Sequence, residues 1–154
     1  MGIKKLYQKR IEEFSGIVDR LDKASGLYSI LRLVTFAVGT LLTILAYIYI
    51  GSIYGFIVMV LSVGIFVFFV VKHQKIIDRA ARYKRMVEIN KRCIDRMEGS
   101  WTDFEDKGLE FADSEHIYAG DLDIFGHASL FQWINTAHTF FGRIALKNLF
   151  TSPS

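Results

Sequence analysis

LVTFAVGTLLTILAYIYIGSIYGFIVMVLSVGIFVFFVV, residues 33–71, contains no charged side chain. Gly51-Ser52 divides it into two uncharged runs, Leu33–Ile50 and Ile53–Val71. As helices rising about 1.5 Å per residue, each comes close to the roughly 30 Å of a bilayer's hydrocarbon core. A buried soluble hairpin is the alternative, but a soluble helix carries a polar stripe and neither run has one. The hydroxyls of Thr35, Thr40, Thr43 and Ser62 fit a span because they can bond to carbonyls of their own helix. The stretch therefore predicts an all-α membrane protein built on an antiparallel transmembrane hairpin (33–50, 53–71).

The rest of the 154 residues agrees with an ordered chain: 51% are hydrophobic, 14% aromatic and only one is proline, which excludes a disordered composition. Tyr47, Tyr49 and Tyr54 flank the two-residue turn, where amphipathic rings suit a membrane interface. Gly51 and Gly55 have the GxxxG spacing that lets backbones approach, although both sit at the turn. Basic residues crowd both outer flanks, from Lys4, Lys5, Lys9 and Arg10 to Arg32, and from Lys72 to Arg96. By the positive-inside rule both termini are cytoplasmic and the tip is outside, in a multi-pass protein of a bacterial-type inner membrane. The apolar run begins too deep in the chain for a cleaved signal peptide. The one cysteine, Cys93, lies on the cytoplasmic flank and implies no disulfide framework.

Charge is unevenly divided. Residues 1–32 carry seven bases against four acids, residues 72–98 nine against four, and residues 99–154 three against eight. The basic parts flank the membrane, where anionic lipid is the ordinary partner; nucleic acid is the other class such a collar can bind.

Both flanks are patterned. Ile76, Ala80, Tyr83, Val87, Asn90, Ile94, Met97 and Trp101 follow alternating steps of four and three, a heptad seam with Asn90 as a polar member that could set register. Ile3, Tyr7, Arg10, Phe14, Ile17, Leu21, Ala24 and Tyr28 follow the same steps before the first span. Residues 1–32 and 72–98 are thus expected to extend the hairpin as a pair of cytoplasmic helices. An N-terminal helix lying flat on the lipid competes with that reading, and Gly16 and Gly26 weaken a long first helix.

Gly99 is placed to cap the second helix, and residues 99–154 then form a connector and two short helices. The connector has turn signals at Asp106-Lys107-Gly108 and a polar stretch at 113–116. Ser129 with Gln132 is a capping box that starts a short helix, with Leu130, Phe131, Trp133 and Ile134 as its apolar residues. Thr139 can cap a second helix whose Phe140, Phe141, Ile144, Ala145 and Leu149 make an apolar stripe, and Gly142 suggests close approach to another helix. Sharper chemistry is weaker. Asp121, Asp123 and His127 have no recognised metal-cage spacing and no evident fourth ligand. His116, His127 and His138 recur every eleven residues but share no helix face. Ser129 near His127 lacks a nucleophile elbow. No phosphate-binding loop occurs, and no catalysis, cofactor or metal is expected of this chain itself.

The stretch from His116 to Phe150 resembles the opening of the core (lever) domain of MutS-family DNA mismatch repair proteins. The matching residues are Asp121, Leu122, Asp123, Phe125, Gly126, Ser129, Leu130, Phe131, Thr139, Gly142 and Arg143. Residues 31–36 and 88–90 also look like a branch in which a transmembrane hairpin precedes the core and ATPase domains. The resemblance implies that residues 99–154 begin a MutS-type core, and that ATP and magnesium are bound by a domain beyond Ser154. It implies contact with DNA only through that domain, a homodimer in the full protein, and a structural role for the motif in seating the anchor on the core. Arg143 either pairs with an acid of the remaining core or is solvated at its helix start. The Phe-x-Glu wedge of mismatch readers is missing, so mismatch recognition is not carried over. The expected function is a membrane anchor and connector of a MutS-like ATPase, in a chain that looks like an N-terminal portion or truncated product. The alternative is a stand-alone hairpin membrane protein, a scaffold or a holin-like pore former.

Overall fold

The computed structural model describes residues 2–112 and 122–151, and every regular element among them is helical. Helix α1 runs Ile3–Tyr49 and α2 runs Ser52–Glu98, each 47 residues and so about 70 Å long. Two single-turn 3-10 segments follow, Ser100–Asp103 and Leu109–Phe111, then α3 (Leu130–Ile134) and α4 (Phe140–Thr151). The chain divides into two compact units, one of residues 8–90 and one of residues 2–7 with 91 onward.

In the first unit the two uncharged runs lie inside α1 and α2. Helix is the form that bonds every backbone group within its own segment. Gly51, at φ +136°, turns the chain between them, and the Ile50 and Gly51 amides both donate to the Ala46 carbonyl, at 3.1 and 3.0 Å. Just beyond the turn a Cβ on Gly55 would lie 3.0 Å from the Tyr47 Cα. Two turns lower in α1, a Cβ on Gly39 would lie 2.8 Å from the Ser62 Cβ. Small residues bring the antiparallel backbones together here, and aromatic pairs take over farther from the tip. Phe36 faces Phe66, Tyr28 faces Phe69 and Phe14 faces Tyr83, with ring centroids 6.1, 6.2 and 5.9 Å apart.

Both helices are long and apolar enough to cross a membrane, and only 11% and 6% of their most apolar stretches are buried. Leu33, Phe36, Ile48, Ile53 and Phe56 point outward, each at least 60% exposed. The apolar surface therefore surrounds the pair, where a soluble hairpin would hide it in a core. The hydroxyls of Thr35 and Thr43 donate to the Leu31 and Gly39 carbonyls of their own helix, at 2.6 and 2.8 Å.

The flanks form a helical pair, and the expected seam changes in phase on α1 and at its far end on α2. On α2 the inward positions Ile76, Ala80, Tyr83, Val87, Asn90 and Ile94 keep the expected phase, and the same steps continue back through His73, Phe69, Phe66 and Ser62. Met97 is instead exposed. On α1 the buried and half-buried row runs Ile11, Phe14, Val18, Leu21, Ser25 and Tyr28, so Arg10 gives way to Ile11 and Ile17 adjoins the more deeply buried Val18. Asn90 is 6% exposed, but its amide donates to the Met86 carbonyl of its own helix. Ser25, Arg32 and His73 make the polar layer between the helices instead. His73 lies with Nε2 2.9 Å from Ser25 Oγ and Nδ1 3.2 Å from an Arg32 guanidinium nitrogen. Lys84 and Asp22 pair at 3.0 Å across the exposed rim, where solvent screening leaves such a pair little weight.

Candidate functional site

The motif residues of the C-terminal part gather around α3, in the second unit. Ser129 stands at the N-cap with its Oγ accepting from the Gln132 amide at 3.2 Å. The Gln132 side chain completes the box one residue earlier than the usual form: its Oε1 accepts from the Ala128 amide at 2.8 Å. The two remaining first-turn amides, of Leu130 and Phe131, donate to the Asp123 and Ile124 carbonyls at 3.0 and 2.9 Å. That return of the loop requires left-handed backbone at Asp123 (φ +46°), Gly126 (φ +111°) and Ala128 (φ +58°). At the other end Arg96 of α2 donates to the carbonyls of Trp133 and Asn135, at 2.6 and 3.1 Å. A cation thus satisfies carbonyls that a helix C-terminus leaves open. Both ends of this five-residue helix are occupied by the chain's own groups.

Phe131 is fully buried and is the centre of the module. Its ring meets Phe111 and Phe125, each with centroids 5.6 Å away, and lies so near Gly108 that a Cβ there would be 2.7 Å from it. Gly108 also has φ +62°, so both space and backbone call for glycine. Gln132, 1% exposed, donates its amide to the Thr102 and Phe104 carbonyls at 2.9 and 2.6 Å and so ties the connector to α3.

Arg143, at the start of α4, lies over the Phe111 ring and pairs with Asp106 at 2.8 Å and with Glu110. The acids it meets belong to this chain's connector. Asp106 also accepts from the Gly108 amide at 3.3 Å and, through its other oxygen, from the Asn135 side-chain amide at 2.7 Å. Beside this network a cleft of about 190 Å³ is lined by Arg92, Phe104, Glu105, Asp106, Asn135, Ala137 and His138.

Of the motif residues, Gly126, Ser129 and Phe131 are buried, Phe125 is half-buried, and Leu122, Asp123 and Leu130 face solvent. Thr139 Oγ1 accepts from the Gly142 amide at 3.1 Å. A Cβ on Gly142 would meet that oxygen and the Ala137 Cβ at 3.0 and 3.1 Å, so among the described residues Gly142 accommodates its own cap. Asp121 and His116 lie outside the described residues. Trp133 and Ile134, expected to pack, are 45% and 42% exposed, and Phe140, Phe141 and Leu149 of the α4 stripe are 65%, 82% and 78% exposed.

Asp106, Glu110, Asn135 and Arg96 are the participants that sequence reasoning missed. The turn signal at Asp106-Lys107-Gly108 marked the loop, but nothing local indicated that its carboxylate reaches Arg143, 37 residues on. Among the described residues no three His, Cys, Asp or Glu side chains converge as a metal site. The arrangement joins segments and presents an apolar helix face. No protein-family model, curated protein or solved structure matches the chain.

Proposed function

We propose that the chain is the membrane anchor and connector of a MutS-like, DNA-repair-type ATPase and catalyses nothing itself. The observation that carries the anchor is the outward-facing hydrocarbon of two helices whose most apolar stretches are only 11% and 6% buried, around 39 residues without a charge. The uncovered stripe of Phe141 and Leu149 supports the connector, because it offers an apolar face to another folded domain. The resemblance of residues 116–150 to the MutS core opening supplies the class of that domain. In this reading both termini are cytoplasmic at a bacterial-type inner membrane and the full protein is a homodimer. ATP, magnesium and DNA are bound by the ATPase. The start of α3 offers no open amides to a nucleotide phosphate, since those of Leu130, Phe131 and Gln132 already donate to Asp123, Ile124 and Ser129. A holin-like pore is disfavoured because Thr35 and Thr43 spend their hydroxyl protons on their own helices.

Two measurements test the two halves. The chain, fused through its C-terminus to a soluble reporter, is expected to stay in membranes through an alkaline wash; extraction by that wash would overturn the anchor. A photo-crosslinking residue in place of Phe141 or Leu149 is expected to capture a MutS-like ATPase domain co-expressed with it. Labelling confined to lipid or to unrelated proteins would overturn the connector.

A further inference from the structure

Two hollows lie along one side of the helical pair. One, of about 340 Å³, is lined mainly by Phe36, Gly39, Thr40, Met59, Val63 and Phe66; the other, of about 400 Å³, by Ser29, Ile30, Arg32 and Leu33. Phe36 and Phe66 line both, so the hollows adjoin at these two rings. The first is hydrocarbon in character, since Thr35 and Thr43 on its wall have turned their protons to their own backbone. It exists because Gly39 and the small Ser62 bring the helices together while Phe36, Phe66 and Met59 stand out as rims.

At the end away from the tip the groove meets a cation. Arg32 lies 5.8 Å above the Phe66 ring, and one terminal nitrogen of its guanidinium is engaged with His73. Its Nε is buried and has no hydrogen-bond partner among the described residues, and no carboxylate of the described chain pairs with Arg32. A partly buried guanidinium with an unsatisfied donor is a costly arrangement unless an anion joins it. The second terminal nitrogen has no partner among the described residues and is not buried, so it is the donor that an oxyanion can reach. From Leu33 to Ile44 the groove measures about 17 Å, close to the roughly 15 Å that one leaflet contributes to a hydrocarbon core.

We propose that this groove is a binding site for one anionic glycerophospholipid, with its phosphate on the open terminal nitrogen of Arg32 and one acyl chain laid along Phe36, Thr40 and Val63. The site rests on the reading of the hairpin as membrane-spanning. It gives that anchor a headgroup preference, which the exposed hydrocarbon alone would not.

The whole chain, purified in mild detergent after exposure to vesicles of mixed phosphatidylglycerol and phosphatidylcholine, is the material for native mass spectrometry. One phosphatidylglycerol per chain is expected to be retained in preference to phosphatidylcholine. Arg32→Gln is expected to lower that retention about tenfold, the value of one charge-assisted contact, and Arg32→Lys to fall between. Val63→Trp, which fills the hydrocarbon part, is expected to lower retention of both lipids. Flotation of each variant with the same vesicles reads insertion separately. A chain that floats but retains no lipid, or whose Arg32→Gln and Val63→Trp forms retain phosphatidylglycerol like the parent, overturns the site and leaves the anchor standing. A lipid-free pair of chains overturns it too, by giving the groove to a second copy. A chain that does not float overturns both.

Discussion

Ser25 and His73, 48 residues apart in the chain, meet with Oγ and Nε2 2.9 Å apart. The other ring nitrogen faces an Arg32 guanidinium nitrogen at 3.2 Å. A guanidinium has only donors, so Nδ1 must accept, and the ring proton sits on Nε2 and is donated to Ser25. This layer interrupts a mostly apolar seam just outside the uncharged runs. A slip of one heptad would set the imidazole beside Val18 in one direction and would part it from Ser25 in the other. Polar seam members fix register in this way at some cost in stability.

His73→Ala removes both bonds and leaves two partners short. In detergent the helical pair is expected to lose about 1–3 kcal/mol, the range for removing one side of a buried polar contact. Thermal melting followed by circular dichroism measures it. An unchanged melting temperature would mean that the layer contributes nothing to holding the helices.

Gly39 is one of two places where the helices approach closely within the uncharged runs. Its missing Cβ would lie 2.8 Å from Ser62 Cβ and 3.0 Å from Ser62 Oγ. Gly39→Val is therefore expected to force the spans apart and to cost about 1–3 kcal/mol by overpacking. Ser62→Gly should restore much of the loss, because it removes the atoms the new side chain meets. The double-mutant cycle is read from melting in the same detergent, and additive losses would contradict the contact.

Helical pairing of the flanks is checked by cross-linking. Phe14 and Tyr83 face each other with ring centroids 5.9 Å apart. In a chain with Cys93 replaced by Ala, cysteines at Phe14 and Tyr83 are expected to join on mild oxidation. A cysteine at the outward-facing Ile77 is expected not to join Phe14. A first helix lying flat on lipid would leave both pairs unlinked.

The hairpin, its turn and the α2 seam were legible because each depends on local facts: an uncharged length, a glycine pair, a repeated step of four and three. The α1 seam was legible in period but not in phase. Apolar residues occupy two adjoining rows there, one through Ile17 and one through Ile11 and Val18, and only the surface of α2 decides between them. The caps at Ser129 and Thr139 could be read because a cap is chosen by its own few residues, as could Gly99, which at φ +88° follows the end of α2 at Glu98. The ends of the Arg143 network could not be, since the pairing of Asp106 and Glu110 with Arg143 depends on how the connector folds back. The burial of Phe131 alone among the apolar residues of α3 likewise follows from tertiary placement, to which a five-residue helix's own pattern is silent.

Asp106 is the shared acceptor of that network, bonded to the Gly108 amide, the Asn135 side chain and Arg143. Arg143→Met removes a partner from a carboxylate that is 37% exposed, so solvent replaces much of what is lost, and a cost near 1 kcal/mol is expected. Asp106→Ala strips acceptors from three donors at once and should cost about twice that or more. Hydrogen exchange of residues 104–111, followed by mass spectrometry on the whole chain, ranks the two. Faster exchange in Arg143→Met than in Asp106→Ala would reverse the assignment of Asp106 as the hub.

Gln132 provides the most demanding test of the module. Its buried amide donates to the Thr102 and Phe104 carbonyls, at 2.9 and 2.6 Å, and accepts from the Ala128 amide at 2.8 Å. Gln132→Glu keeps the shape and the acceptor but, when ionised, turns a carboxylate oxygen onto two carbonyls. Gln132→Leu removes all three bonds without adding a charge. Both are expected to release the 3-10 segment Ser100–Asp103 from α3, with the glutamate form losing about 3 kcal/mol or more near neutral pH because an unpaired buried charge adds to the lost bonds. Lowering the pH until the carboxyl protonates restores one donor and should return part of the protection, whereas the leucine form should not respond. Amide exchange at residues 101–104 across a pH series, corrected for intrinsic rates, separates the two variants. A glutamate form as protected as the parent at neutral pH would show that the side-chain amide does not hold the connector.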